Sequence, residues 1–345
     1  MGMAGDCGWR TLGQVIDRGS AFPRKLEENW TRRSHSPHDA LRWGGRLRQC
    51  RGMARAHTIL IAGPTASGKS ALAIELALRH GGTVINADSM QVYRDLRVLT
   101  ARPTPADEAR VPHALFGHVD GADAYSTGRW VEDARAAISA AHAAGRTAIV
   151  VGGTGLYFKA LTEGLAPIPP IPAATRAHWR REVLRLGAGP AHALLARRDP
   201  ETARRLEPTD SQRIARALEV LDATGRSLAA WQQEPARPVV DAEAAERIVL
   251  LPPRAELHRR CDARFVAMVD AGALDEVAAL MASQLSPELP VMRALGVRPL
   301  ARHLAGELGR TEAIAAGQRE TRQYVKRQET WLNRNMNSWR RMFAQ

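Results

Sequence analysis

The feature that most constrains the fold is the segment Gly63–Ser70, which reads GPTASGKS. It matches the pattern G-x-x-x-x-G-K-[ST], in which a glycine-rich turn links a buried strand to a helix. An apolar run, Thr58–Ala62, precedes the segment, and an amphipathic run, Ala71–Leu78, follows it. Such a turn directs backbone N–H groups and the positive end of a helix dipole at a phosphate group. The segment therefore predicts a phosphate-binding loop, although it does not specify which phosphate compound binds.

Individual positions of this loop have predicted roles. Lys69 would reach the outer phosphate, and Ser70 would offer its hydroxyl to Mg²⁺. An ordinary glycine-rich turn is the alternative, but it does not explain why Lys and Ser follow the second glycine. The residues predicted to bind the phosphate compound are Gly63, Pro64, Thr65, Ala66, Ser67, Gly68, Lys69 and Ser70.

Apolar strands alternate with amphipathic helices from Ala54 onwards, which is typical of an α/β fold with a parallel sheet. Strands are predicted at His57–Ala62, Thr83–Asn86, Thr147–Val151 and Arg247–Leu251. A polar or glycine-bearing turn follows each strand, and ligands bind at the carboxyl ends of the strands in such sheets. We therefore expect an α/β, P-loop NTPase-like parallel sheet flanked by helices, with the turns meeting at one cleft.

Changes in composition divide the chain into four parts. Residues 1–52 lack a sustained helix or strand period and carry ten Arg or Lys against five Asp or Glu. They are either a disordered basic arm or a mis-set start before Met53, and we favour the second. Residues 53–172 and 244–345 are predicted to form the two parts of the core, the second with a basic C-terminal helix. Residues 173–243 follow a proline-rich stretch and are predicted to form a helical insertion.

The net charge of +13 favours a polyanionic partner, with nucleic acid first and an anionic membrane second. Nearly all of this charge is Arg, so a general preference for arginine in the genome is an alternative explanation. The scattered cysteines Cys7, Cys50 and Cys261 indicate a reducing compartment and no zinc site. No apolar run approaches a membrane span and the start lacks a signal-peptide core, so we expect a cytoplasmic protein with no membrane partner.

Two turns carry further candidate chemistry. Asp88 ends the second predicted strand, opposite the phosphate loop, where its carboxylate could bind Mg²⁺, act as a general base or cap a helix. Gly152–Gly155 form a second glycine-bearing turn after a strand. The missing side chains could let the backbone approach a ligand closely, or they could simply permit a tight turn.

Seven segments, in order along the chain, resemble the tRNA dimethylallyltransferase family. They are GPTASGKS, NADSMQVYR (Asn86–Arg94), VGGTGLYFKAL (Val151–Leu161), DSQRIARALEVLDATGR (Asp210–Arg226), LHRRCDARFVAMVDAGALDEV (Leu257–Val277), MRALGVRPL (Met292–Leu300) and KRQETWLNRN (Lys326–Asn335). The resemblance extends from about Thr58 to Asn335 and leaves out residues 1–52. It implies Mg²⁺-dependent transfer of a dimethylallyl group from its diphosphate to N6 of adenosine 37, in tRNAs that read codons beginning with U.

The resemblance also implies roles in the reaction. The phosphate loop would hold the pyrophosphate leaving group through the backbone N–H groups of Thr65–Lys69, with Mg²⁺ near Ser70. Arg264 matches the family's pyrophosphate-binding arginine, with an ordinary solvated helix position as the alternative. Asp88 matches the base that takes the N6 proton, and Thr154 matches a position that contacts the tRNA near the reacting adenine.

Further positions are implied to contact the anticodon stem-loop of the tRNA. The flipped adenine would be held by Asp88–Gln91, because its N6 is otherwise hidden in the base stack. The full set is Asp88, Ser89, Met90, Gln91, Thr154, Arg176, Gln212, Arg213, Ile214, Ala215, Arg216, Arg298, Lys326, Arg327 and Gln328. Arg213 and Arg216 share a helix face that suits phosphates, although exposed arginines are also ordinary in an Arg-rich chain.

Two segments depart from the family pattern. The family usually has a second His and then Leu-Ile-Asp after the first His, whereas this chain continues from His113 with Ala-Leu-Phe, so neither His113 nor His118 is assigned a role. Val297 and Pro299 stand where Tyr and Gln are common, which weakens the expectation for Arg298. The remaining histidines, cysteines and tryptophans are interpreted as packing or surface residues.

Two other functional classes remain open. A P-loop small-molecule or nucleoside kinase would bind ATP at Gly63–Ser70, but it does not explain the basic insertion, the GGTG turn or the KRQ helix. A non-enzymatic RNA-binding module would use the cleft only to bind an anion, and it leaves Asp88 without a role. We expect a monomer whose partners are tRNA and dimethylallyl diphosphate.

Overall fold

A computed structural model describes residues 57–342, and its centre is a six-stranded sheet whose neighbouring strands are all parallel. The strands are β1 (Thr58–Ala62), β2 (Thr83–Asn86), β3 (His113–Ala114), β4 (Ala148–Gly152), β5 (Glu246–Leu250) and β6 (Arg340–Met342). Their order across the sheet is β3-β2-β4-β1-β5-β6. Every residue of β1 and of β4 is buried, as expected for parallel strands covered on both faces. The predicted parallel α/β sheet is confirmed.

Helices cover both faces of the first half of the sheet. They are α1 (Lys69–His80), α2 (Pro105–Arg110), α3 (Thr127–Ala143) and α4 (Gly155–Glu163). Alternate residues of β1 point to opposite faces, so Ile59 and Ile61 pack in the cluster that contains α1 residues, while Leu60 packs with Trp130 of α3 and Phe158 of α4. The turns that follow the strands are thereby held at one edge of a well-packed sheet.

A group of helices lies between α4 and β5, within the predicted insertion at residues 173–243. They are α5 (Ala173–Leu186), α6 (Ala188–Arg198), α7 (Pro200–Ala203), α8 (Ser211–Thr224) and α9 (Leu228–Trp231). Their buried side chains form a separate hydrophobic cluster, which includes Trp179, Leu195 and Leu218. The insertion therefore has an apolar core of its own.

The chain after β5 forms α10 (Arg254–Met268), α11 (Leu274–Ala282), α12 (Val297–Leu304) and α13 (Arg310–Asn335). The sequence of Leu257–Leu280 reads as one long amphipathic helix, but a π-helical turn at Val269–Ala273 separates α10 from α11. Gly272 within this turn has a φ of 104°, a backbone conformation that favours glycine. Helices α10 and α13 pack against each other and flank the phosphate loop.

Within residues 57–342, no helix combines the length and apolar character needed to cross a lipid bilayer. The predictions made for residues 1–52, for Cys7 and for Cys50 lie outside the described residues. The predicted second part of the core, residues 244–345, is described up to Met342.

Candidate active site

The order of the strands brings three predicted turns together. Strand β4 lies between β2 and β1, so the turn at Gly152–Gly155 lies between Asp88 and the phosphate loop. The backbone N–H of Gly63 donates to the carbonyl of Gly152 at 3.3 Å, and that of Thr154 donates to the carbonyl of Ala87 at 3.2 Å. The three turns therefore form one continuous edge at the carboxyl ends of the central strands.

Gly152 is required by the close contact between two of these turns. A Cβ atom at this position would lie 2.0 Å from the carbonyl oxygen of Ala87, which is backbone and has little freedom to move. The missing side chain therefore lets the turn after β4 touch the turn after β2. This contact gives Gly152 a packing role that differs from both sequence-based interpretations, approach to a ligand and a tight turn.

Two N–H groups of the phosphate loop already have hydrogen-bond partners within the protein. The N–H of Thr65 donates to Oε1 of Gln328 at 2.9 Å, and that of Ser67 donates to the carbonyl of Pro64 at 3.2 Å. In this structure these two N–H groups of the predicted set Thr65–Lys69 have protein partners and are not free to bind a phosphate. Ala66 has a φ of 63°, a strained conformation of the kind found at ligand-binding loops.

The three predicted charged groups of the site act on one another. Burial lowers the pKa of Lys69 from 10.5 to about 8, while the charge of Asp88 opposes this shift and that of Arg264 adds to it. Burial also lowers the pKa of Arg264, against the opposing effects of Cys261 and Asp88. Two cations that burial disfavours would both be stabilised by an incoming anion. The site is thus electrostatically suited to an anion such as a diphosphate, and the charge of Asp88 acts on both cations.

The Asp88 carboxylate is fixed by its own backbone neighbours. Its Oδ1 accepts from the N–H groups of Met90 and Gln91 at 2.9 and 3.4 Å, and its own N–H donates to Oδ1 of Asn86 at 2.9 Å. These residues form a turn rather than a helix, so the helix-cap interpretation is wrong. Oδ2 points toward the glycine turn, since a Cβ built on Gly153 would lie 3.5 Å from it.

Thr154 joins the glycine turn to the segment after Asp88. Its Oγ1 accepts from the N–H of Ser89 at 2.9 Å and lies 3.3 Å from the Ser89 hydroxyl. The Gln91 amide donates to the carbonyls of Thr100 and Ala101 at 2.8 and 3.0 Å. Both groups shape the edge of the site, and the amide hydrogens of Gln91 are occupied within the protein.

Two tyrosines near Asp88 were missed by the sequence analysis. Burial raises the pKa of Tyr157 and of Tyr324, and the charge of Asp88 raises it further, so both hydroxyls stay neutral. The ring of Trp130 stacks on Tyr157 with centroids 4.0 Å apart, and its Nε1–H donates to the carbonyl of Asn86 at 2.9 Å. A signal for Tyr324 was its position one helical turn before Gln328.

The residues predicted to contact tRNA divide by exposure. Arg176, Gln212, Arg213, Arg298, Lys326 and Arg327 are exposed, and Arg216 is partly exposed. Ile214 and Ala215 are 0% and 6% exposed and pack in the insertion core, so as side-chain contacts to RNA these two predictions are wrong. Gln328 is also buried, at 6% exposure, and its side chain points to the phosphate loop.

The two predicted phosphate contacts on α8 differ in their surroundings. Arg216 and Arg180 each lie 3.4 Å from the buried carboxylate of Glu219, which holds their guanidinium groups at the insertion surface. Arg213 lies 3.2 Å from Asp210, and its side chain is 73% exposed. The guanidinium group of Arg213 is therefore more accessible to an RNA phosphate than that of Arg216.

The residues around Ser70 fit a magnesium ion only if a bound phosphate compound supplies further ligands to the ion. Within residues 57–342, no group of three or more His, Cys, Asp or Glu side chains is arranged to hold a metal. Ser70 lies exposed in the first turn of α1, next to Lys69. Because Mg²⁺ often binds through few protein groups together with substrate phosphates, a single hydroxyl fits an ion that binds with a diphosphate.

Comparisons with known proteins cover most of the chain. The family model described as IPP transferase matches residues 91–335, and the one described as isopentenyl transferase matches residues 56–111. A tRNA dimethylallyltransferase from Azorhizobium caulinodans is 56% identical over 283 residues, which are 82% of this chain and 91% of that relative. One from Rhizobium meliloti is 51% identical over 285 residues, which are 82% of this chain and 94% of that relative.

Solved structures share the fold. A tRNA isopentenylpyrophosphate transferase from Bacillus halodurans is similar with a TM-score of 0.60 and 30% identity, over 84% of this chain and 90% of that one. A eukaryotic dimethylallyltransferase acting on tRNA is similar with a TM-score of 0.70 and 25% identity, over 83% of this chain and 74% of that one.

Proposed function

Since the chain belongs to the tRNA dimethylallyltransferase family, we propose that it transfers a dimethylallyl group from dimethylallyl diphosphate to N6 of adenosine 37 in the anticodon stem-loop, in tRNAs that read codons beginning with U. The observation that carries the proposal is the placement of Asp88 within electrostatic reach of both Lys69 and Arg264, at one edge of the sheet. A kinase would also use the loop, but an anion site facing a fixed carboxylate suits a leaving diphosphate and an amine that loses a proton.

The leaving group is the first requirement of this chemistry. As the bond between the allylic carbon and the diphosphate oxygen breaks, its electron pair leaves with pyrophosphate. Lys69 and Arg264 stabilise the growing negative charge, which is the kind of preorganised electrostatic effect that dominates many enzyme reactions. Mg²⁺, bound with the diphosphate at Ser70, would supply further positive charge.

The amine nucleophile is the second requirement. When N6 forms its bond to the allylic carbon, the nitrogen becomes cationic and must lose a proton. Oδ2 of Asp88 takes this proton, while Oδ1 remains bonded to the N–H groups of Met90 and Gln91. The two carboxylate oxygens thus have different tasks, one fixing the side chain and the other acting on the substrate.

The RNA is proposed to bind through exposed basic side chains on two elements. Arg176 and Arg213 lie on the insertion helices, and Lys326 and Arg327 lie on α13. Contacts of this kind to phosphates position the RNA without reading its sequence. The reacting adenine would leave the stack of the anticodon loop to reach Asp88.

One assay distinguishes the candidate functions. The purified protein is incubated with Mg²⁺, dimethylallyl diphosphate, ATP and unmodified tRNA, and nucleosides from the digested tRNA are analysed by mass spectrometry. We expect one prenylated adenosine and one pyrophosphate per modified tRNA, and none when position 37 is replaced by guanosine. ATP turnover without prenylation would favour the kinase, and neither reaction would favour a binding module.

We further propose that the enzyme acts as a monomer in the cytoplasm, where tRNA is available. The chain mass is 37.7 kDa, so sedimentation velocity should give a single species near that mass. A stable species at twice this mass would contradict the monomer proposal.

A further inference from the structure

We propose that Gln328 is a positioning residue that holds the phosphate loop in its working shape, and that it acts on diphosphate binding rather than on RNA. This inference rests on the proposed function, because that function assigns the loop to a diphosphate. Gln328 follows the exposed residues Lys326 and Arg327 on α13, but its own side chain is only 6% exposed. It therefore faces the interior where its two neighbours face solvent.

Both ends of the Gln328 amide are used, and each bond reaches a different turn. Oε1 accepts from the N–H of Thr65 at 2.9 Å, and Nε2 donates to the carbonyl of Gly153 at 3.0 Å. A Cβ atom on Gly153 would lie 2.3 Å from Nε2, so the glycine leaves the space that the amide fills. One side chain thus joins the loop after β1 to the turn after β4.

The same residue of the loop is also held from a second helix. The Sγ–H of Cys261, on α10, donates to the carbonyl of Thr65 at 3.7 Å. The methyl group of Ala66 packs against the buried side chains of Leu257, Cys261 and Val325. Thr65 is therefore fixed at its N–H by α13 and at its carbonyl by α10, immediately before the strained residue Ala66.

This support has a direct chemical consequence. The Thr65 N–H does not point at a phosphate, because Gln328 takes it, so its contribution is to orient the peptides that follow. Preorganised donors stabilise a developing anion more than flexible ones, since they need not reorient during the reaction. Loss of the amide should free the Thr65 peptide and weaken the hold of the loop on pyrophosphate.

The test compares Gln328→Met, which keeps the length of the side chain but removes both hydrogen bonds, with Gln323→Met. Gln323 lies on the same helix, and its side chain is exposed. Its substitution is therefore the same chemical change at a position that makes no hydrogen bond to the loop. Three quantities are measured: the affinity for inorganic pyrophosphate with Mg²⁺ by calorimetry, kcat and KM for prenyl transfer, and the Kd for tRNA.

We expect Q328M to lose about tenfold in pyrophosphate affinity and roughly 10- to 100-fold in kcat, as removal of buried hydrogen bonds and preorganised donors does. The Kd for tRNA should stay within about twofold of the wild-type value, and Q323M should behave like the wild type. Amide exchange at Thr65 should become fast in Q328M while amides of β1 stay protected.

Gln328→Glu provides a second variant in case Q328M does not fold. It keeps the acceptor for the Thr65 N–H and the side-chain length but removes the donor to Gly153, and it should again weaken pyrophosphate binding without changing the Kd for tRNA. Weaker tRNA binding with unchanged pyrophosphate affinity, in either variant, would make Gln328 an RNA contact and overturn the inference. If the wild type prenylates no tRNA but Q328M still loses pyrophosphate affinity, the proposed function fails while the positioning role stands.

Discussion

At the scale of single residues, the two oxygens of the Asp88 carboxylate have different surroundings. Oδ1 is committed to two backbone N–H groups, which fixes the orientation of the side chain. Oδ2 faces the glycine turn and is, in the proposed function, the oxygen that takes the proton from the substrate. An informative substitution of Asp88 therefore has to keep the hydrogen bonds of Oδ1 and remove only the ability of Oδ2 to take a proton.

Asp88→Asn makes this separation, because the amide oxygen still accepts from Met90 and Gln91 while the amide nitrogen cannot take a proton. We expect prenyl transfer to slow by roughly 10²- to 10⁴-fold, as loss of a general base does. Single-turnover measurements would give the rate, and filter binding would show an unchanged Kd for tRNA. Weakened tRNA binding with normal turnover of the bound tRNA would instead show that Asp88 is not the base.

At the scale of structural elements, the site is built from turns that touch through backbone and from helices that support them. Gly152 permits the contact between the turns after β4 and β2. Helices α10 and α13 hold the phosphate loop through Cys261 and Gln328. The insertion, with its own core, presents Arg213 to solvent.

Gly152→Ala should destabilise the protein, because the new methyl group would lie 2.0 Å from the carbonyl oxygen of Ala87. Overpacking of this kind costs about 1–3 kcal/mol in the free energy of unfolding. The control is Gly189→Ala on α6, where a Cβ meets nothing within 4 Å. This change should be neutral or stabilise by up to about 1 kcal/mol, since Ala favours a helix. Urea denaturation measures both variants, and equal midpoints would contradict the argument.

Arg213→Ala should weaken tRNA binding evenly across tRNA species and flatten its dependence on salt. A lost phosphate contact lowers the slope of log Kd against log salt concentration by about 1. Arg205→Ala is the matched control, since Arg205 is also an exposed arginine of the insertion paired with a carboxylate, at 2.6 Å from Glu201. Fluorescence anisotropy at several salt concentrations measures both, and a slope equal to that of the wild type would remove Arg213 from the phosphate contacts.

At the scale of the whole molecule, diphosphate binding should be visible as a gain in stability. Burial disfavours the charged forms of Lys69 and Arg264, and the charge of Arg264 also disfavours that of Lys69. A bound anion would stabilise both positive charges. Any ligand that binds only the folded state stabilises it by mass action, about 2.7 kcal/mol at a concentration of 100 Kd.

Thermal unfolding with pyrophosphate provides the test of Mg²⁺ binding at Ser70. We expect pyrophosphate to raise Tm more in the presence of Mg²⁺ than in the presence of EDTA. Ser70→Ala should reduce this difference, whereas Ser283→Ala, at an exposed serine distant in sequence from the loop, should preserve it. The same Mg²⁺ effect in S70A and the wild type would exclude Ser70 as a metal ligand.

Much of the fold was predictable because its signals are local. The phosphate loop is contiguous, and buried parallel strands appear as short apolar runs, so β2 was predicted at its observed bounds and β4 one residue early. The break between α10 and α11 was missed, because the periodicity of the apolar residues continues across Gly272.

The sequence by itself determined the phosphate loop, the parallel sheet and, through ordered motifs, the family and the presence of Asp88 at the site. Only the tertiary structure decided which N–H groups remain for a phosphate, that Ile214 and Ala215 are buried, and that Gln328 faces the loop. Thr65 and Gln328 are 263 positions apart, and no local periodicity reports a contact of that kind. The direction in which a side chain points depends on how whole helices pack. It can therefore be determined only from the tertiary structure.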